Sequence, residues 1–196
     1  KKKIKNSKIL KKLKLKIDNY FLISFHREEN IDNDKNFRNF LNILNDLAEK
    51  YNIPIIMSTH PRTKKRIEKK SMNFNNLISF LPPMSYTDYM SLQINSKTVL
   101  SDSGSISEES SILNFKALNI RENHERPESM EESAVMMAGL NSERVMQGIE
   151  LLESQSIGSK RNIDIVKEYD VINLSYKVLR IVYSYIDYIN SKVWKK

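Results

Sequence analysis

The sequence contains no cysteine, which excludes disulfides and thiolate metal sites. No apolar run approaches the roughly 18–20 residues that span a bilayer. The basic start is not followed by the long apolar stretch of a secretory leader. A cytoplasmic protein with no membrane partner is the expectation. Several signatures of chemistry are missing as well. There is no Gly-Lys-Ser/Thr of a P-loop, no G-x-G-x-x-G dinucleotide turn and no G-x-S-x-G nucleophile elbow. His60 and His124 have no ligand-spaced partners, so no metal is expected, and no cofactor either.

Acidic residues are absent from the first sixteen positions, KKKIKNSKILKKLKLK, which hold nine lysines. The net charge of the chain is +8, so setting those nine lysines aside leaves −1. The basic character is therefore local. It is lysine rather than arginine, with no interleaved aromatics, so the stacking surface of a nucleic-acid binder is missing. Residues 1–18 read as a solvated, partly helical connector, with Ile9, Leu10, Leu13 and Ile17 touching the body. The rival reading, a lysine tail for nucleic acid or acidic membrane, predicts binding that is steeply salt-dependent and lost without residues 1–16.

What is present is enough for a sizeable core: 196 residues, 40% of them hydrophobic. Short apolar runs alternate with helical patterns. Strands are predicted at 20–26, 53–60, 76–83, 97–102, 116–120 and 134–139. Helices are predicted at 35–51, at 85–96 behind a serine N-cap, at 105–114, at 142–152 and from Leu174 to Val193, with a basic turn or short helix from Pro61. Such alternation implies an α/β fold, a parallel sheet covered on both faces. Domain limits are expected at 19–153, with 154–196 forming a connection and a last helix.

Ligands of such sheets sit beyond the C-terminal ends of the strands. The first strand ends in His26-Arg27-Glu28-Glu29-Asn30, the second in His60-Pro61-Arg62, and the fifth runs on to Glu125-Arg126-Pro127-Glu128. All three histidines fall at or beyond strand ends. The fourth strand closes with Asp102-Ser103-Gly104-Ser105 and a helix carrying Glu108 and Glu109. Free N–H groups and the helix dipole suit that turn to a phosphate, with Ser103 and Ser105 adding hydroxyls. A glutamate one turn later can accept from the two vicinal hydroxyls of a ribose. The competing reading is structural: Ser105-x-x-Glu108 has the spacing of a capping box.

HREEN, SDSGSISEE and ERPE, in that order at those strand ends, resemble the non-hydrolysing UDP-N-acetylglucosamine 2-epimerase family over roughly residues 8–152. HREEN in place of HRREN, STHPRT after the second strand, and SDSGSISEESSILNF look most like the capsule-type branch that forms UDP-N-acetyl-L-fucosamine. The resemblance implies the C-terminal Rossmann-like half of a GT-B-type two-domain fold. It implies an isomerase that inverts C2 of a UDP-2-acetamido sugar, in that branch the 2,6-dideoxy-L-talose nucleotide, by eliminating and re-adding UDP. By this likeness His26 is catalytic, as an electrostatic or acid–base group near the diphosphate. Ser103, Gly104 and Ser105 hold phosphate, although the family usually has glycine at the position of Ser105. Glu109 binds the ribose, Arg126 lies at the diphosphate and Tyr89 near the uracil. The likeness also implies an N-terminal domain or separate chain that supplies the catalytic carboxylates, a homodimer at full length, and a chain inactive by itself. A face of the last helix formed by Ile181, Val182, Tyr185, Ile186 and Ile189 would then meet that domain or, on the bland reading, this domain's own sheet. A UDP-sugar-binding fragment without activity and a GT-B glycosyltransferase domain are the alternatives.

Overall fold

The computed structural model describes residues 2–69, 73–123 and 125–195. His124 lies outside them. The chain divides into two units, Lys1–Val166 and Lys167–Lys196.

The first unit is built on a six-stranded parallel sheet: β1 (Phe21–Ser24), β2 (Ile55–Ser58), β3 (Ile78–Leu81), β4 (Thr98–Ser101), β5 (Ala117–Asn119) and β6 (Met136–Met137). The order across the sheet is β3-β2-β1-β4-β5-β6. All six predicted strands exist, each shorter than its apolar run. β1, β2 and β4 are buried along almost their whole length because both faces are covered. Side-chain alternation divides β1 between two cores. Phe21, Ile23 and Phe25 face one layer together with Phe37, Leu44 and Val145, while Tyr20 and Leu22 face the other with Leu92, Val99 and Ile106.

The helices of the first unit are α1 (Lys2–Lys5), α2 (Ile9–Lys12), α3 (Glu28–Ile31), α4 (Asp34–Tyr51), α5 (Pro61–Glu68), α6 (Tyr86–Asn95), α7 (Ile106–Leu113), α8 (Pro127–Glu131) and α9 (Ser142–Glu153). Local chemistry sets their limits. Asn33 caps α4, its side chain accepting the Lys35 and Asn36 N–H groups, and Asn52 ends that helix in the left-handed conformation at φ 50°. Ser85 caps α6 by accepting the Asp88 N–H at 3.2 Å, as its place in the sequence predicts. His60 Nδ1 accepts the Arg62 N–H at 3.3 Å, and Pro61 opens α5. The second histidine therefore caps a helix.

Of the four apolar residues expected to tie the basic lead to the body, Ile9 is buried and Leu10 and Leu13 pack against the core. Ile17 does not; it is 69% exposed. Ser7 donates to Asp88 at 2.5 Å, and this bond, with Ser85 helping, holds the Asp88 carboxyl below the usual range. The first unit also takes in part of the segment read as a connection. Val166 is buried, its N–H donates to Ser111 Oγ at 3.0 Å, and Arg161 donates to the Ser111 carbonyl.

The second unit is α10 (Leu174–Tyr188), continued by a π-turn over Ile189–Val193. Among the described residues no side chain of this helix and turn is buried. Ile181, Val182, Tyr185, Ile186 and Ile189 form one apolar stripe with Trp194. Among the described residues no helix is long and apolar enough to cross a membrane.

Candidate functional site

The sheet order reverses beside β1. The chain moves from β1 outward to β2 and β3, then returns to place β4 on the other side of β1. Two loops diverge there from the C-terminal ends of neighbouring strands, and a crevice opens between them. Ser24 and Ser101 are partners in the last rung of that pairing. Phe25 and the HREEN segment follow on one side and Asp102-Ser103-Gly104-Ser105 on the other.

Asp102 organises both loops. Its side chain is wholly buried. The carboxylate accepts the backbone N–H of His26 at 3.1 Å and of Arg27 at 2.8 Å, and the Asn30 side-chain amide at 3.4 Å. Oδ1 also lies 3.2 Å from His26 Nδ1. A carboxylate there favours a proton on Nδ1 and turns Nε2 outward as the reactive nitrogen. Within and just beyond HREEN, Glu28–Ile31 form the single turn α3. Its Glu29 meets the enclosed Arg121 at 2.9 Å, and Arg121 also donates to Glu125 at 3.2 Å. The Arg121 bond, reinforced by Arg27, holds the Glu125 carboxyl below its ordinary range. The HREEN and ERPE segments are thus joined by charge.

The capping-box reading of Ser105 does not hold. Ser105 has helical backbone angles and makes no side-chain cap bond. Its hydroxyl donates instead to Glu109 Oε1 at 2.9 Å and lies 3.0 Å from Ser103 Oγ. Glu108 turns away to accept from Arg126 Nε at 2.8 Å. Among the described residues no capping side chain meets the first N–H groups of α7; the Ser107 N–H donates to the Gly104 carbonyl at 3.4 Å, and a helix start without a side-chain cap suits an anion. Two guanidiniums close over the same place: a Cβ on Gly104 would sit 3.5 Å from Arg27 Nη2 and 3.9 Å from Arg126 Nη2.

Below the turn is a cleft of about 240 Å³, lined in part by His26, Tyr89, Ser103, Ser105 and Glu109. Five sequence-predicted site residues thus line one space; Gly104, between two of them in sequence, has Arg126 beside it. Tyr89 is pushed up to about 12 by burial, against the pull of hydrogen bonds from Ser24 and Gln93, so it is a neutral hydroxyl at neutral pH. Glu109 Oε2 accepts from Gln93 Nε2 at 2.6 Å.

Asp102, Arg27 and Gln93 carry no role in the sequence reading. An acid that directly ends an apolar central strand was the available signal for Asp102. Arg27 is adjacent to His26 and shares its motif. Gln93 gives no signal, because only the packing of α6 on α7 brings it to Glu109.

The family model described as UDP-N-acetylglucosamine 2-epimerase matches residues 1–182. A Methanocaldococcus jannaschii UDP-N-acetylglucosamine 2-epimerase is 35% identical over 149 residues, 74% of this chain and 40% of that protein. The solved structure of a Rickettsia bellii UDP-N-acetylglucosamine 2-epimerase superposes with a TM-score of 0.84 at 48% identity, covering all of this chain and 52% of that one. The M. jannaschii enzyme solved in complex with UDP-GlcNAc and UDP superposes with a TM-score of 0.78 at 30% identity, over 93% of this chain and 50% of that one. The chain spans about half the length of the relatives it matches, the C-terminal half of a GT-B-type architecture. With that match over most of its length, this chain belongs to the UDP-N-acetylglucosamine 2-epimerase family.

Proposed function

We propose that this chain is the nucleotide-binding half of a UDP-2-acetamido-sugar 2-epimerase. The observation that carries the reading is the set of groups around Gly104: an uncapped helix start, Arg27 and Arg126 over it, and Glu109 beside it. In this reading the diphosphate lies against the turn and both guanidiniums. Glu109 accepts from the ribose diol and Tyr89 borders the base.

The reaction removes the proton from C2 of the sugar as the C1–O bond to UDP breaks, leaving a C1=C2 alkene. UDP then re-adds at C1 while a proton returns to C2 from the opposite face. The departing diphosphate gathers charge, which the two arginines, the helix start and His26 stabilise. The carboxylates that exchange the C2 proton belong to the N-terminal half, as does the surface that covers the apolar stripe of α10. By itself the chain binds UDP and does not turn over. HREEN and STHPRT favour the 2,6-dideoxy-L-talose nucleotide as substrate, in cytoplasmic synthesis of a cell-surface polysaccharide by a homodimer of the full-length protein.

Calorimetric titration with UDP, with uridine as control, tests the binding half. Micromolar-to-millimolar affinity that depends on the diphosphate is expected; equal affinity for uridine, or none for UDP, removes the reading. Turnover is tested by adding a separately made N-terminal half, which is expected to restore epimerisation.

A further inference from the structure

Gln93 stands apart from the polar groups around it. It is completely buried on α6, and its amide donates a 2.6 Å bond to Glu109 Oε2. Among the described residues its Oε1 atom is enclosed and has no hydrogen-bond partner. A core amide with one end unsatisfied destabilises a fold relative to an apolar side chain of the same length. Stability therefore does not account for a glutamine here. Its amide group instead faces the one carboxylate of the cleft whose direction matters for a ligand.

Glu109 is held at both oxygens, Oε1 by Ser105 and Oε2 by Gln93. A glutamate tied at one oxygen can still turn about its last bonds; tied at two, it has a single orientation. Each oxygen keeps lone pairs for further donors.

We propose that Gln93 is a positioning residue that aligns the Glu109 carboxylate to read the vicinal hydroxyls of the bound ribose. The inference rests on the nucleotide reading of the cleft and adds to it the residue that sets selectivity for ribose over deoxyribose.

The test compares UDP with 2′-deoxy-UDP on the whole chain, for the wild type, Glu109→Ala and Gln93→Met. The wild type is expected to prefer UDP by about tenfold, the worth of one charge-assisted hydrogen bond. Glu109→Ala should abolish the preference. Gln93→Met should reduce it to about twofold, with a denaturation midpoint unchanged or higher. A Gln93→Met chain that keeps the wild-type preference overturns the inference alone. So does one that loses both ligands equally with a lowered midpoint, since that marks a structural role. A wild type with no preference overturns the Glu109 assignment, and this inference with it. Should Gln93→Met not fold, the Gln93 side-chain amide resonances of the wild type decide. A shift with UDP that 2′-deoxy-UDP does not reproduce supports the proposal, and equal shifts overturn it.

Discussion

Asp102 and His26 lie 76 positions apart in sequence, yet the Asp102 carboxylate accepts the His26 backbone N–H and lies 3.2 Å from its Nδ1. One buried acid thus fixes both the path of the HREEN loop and the tautomer of its histidine. Asp102→Asn keeps the shape but turns an N–H₂ group towards backbone donors. A loss of roughly 2–4 kcal/mol in urea denaturation is expected, since charge-assisted acceptors and orphaned N–H groups each count for about 1–3 kcal/mol. A loss below about 0.5 kcal/mol would show that the loop holds without the acid.

Gly104 separates folding from binding. A methyl there meets Arg27 and Arg126 only at ordinary contact distance. Gly104→Ala should therefore fold with near-normal stability while intruding where the diphosphate is placed. UDP affinity is expected to fall about tenfold, roughly 1.4 kcal/mol, with uridine affinity unchanged. Arg126→Ala should show the same split between UDP and uridine. Equal losses for the two ligands in both variants would contradict the diphosphate assignment.

Phe25 and Phe40 stack with centroids 3.8 Å apart and planes within 5°, both fully buried. This pair fastens α4 to the end of β1, one residue before His26. Phe40→Ala should cost about 3–5 kcal/mol by lost burial and a residual cavity, seen as a lower denaturation midpoint.

Tyr89 gives a pH signature in the alkaline range. Its hydroxyl is raised from 10.0 to about 12 by burial. Between those values the folded chain keeps a proton that the unfolded chain releases, so stability falls as pH rises through the window. The contribution is present below pH 10 and has a slope of up to about 1.4 kcal/mol per pH unit. Tyr89→Phe should flatten the decline above pH 10 in denaturation measured across pH. An unchanged slope would mean that the hydroxyl is open to water.

The strands and most of the helices were legible because buried parallel strands and amphipathic helices write their burial into local periodicity. Strand ends were placed one or two residues too far out, as at 53–60 against Ile55–Ser58, because apolar character outlasts the ladder. The site was legible as a set of motifs but not as a set of bonds. Ser105-x-x-Glu108 reads identically whether the serine caps the helix or bridges to Glu109. Two distant residues decide it: Arg126 draws Glu108 away, and Gln93 holds Glu109 within reach. The single turn at Glu28–Ile31 is too short for periodicity to register. It exists because Arg62 pairs with Glu28 and Arg121 with Glu29, both from far along the chain.

The reversal of strand order beside β1 also has a consequence for synthesis. Strands emerge in the order β1, β2, β3, so one edge of β1 stays unpaired until β4 is made. That edge carries Phe21, Leu22 and Ile23, a short apolar strand of the sort that recruits stray partners. The residues that close it, Thr98–Ser101, lead directly into Asp102. The step that removes an aggregation-prone edge from the nascent chain is therefore the step that brings the two walls of the cleft together, and a chain stalled before residue 98 has neither the covered edge nor the cleft.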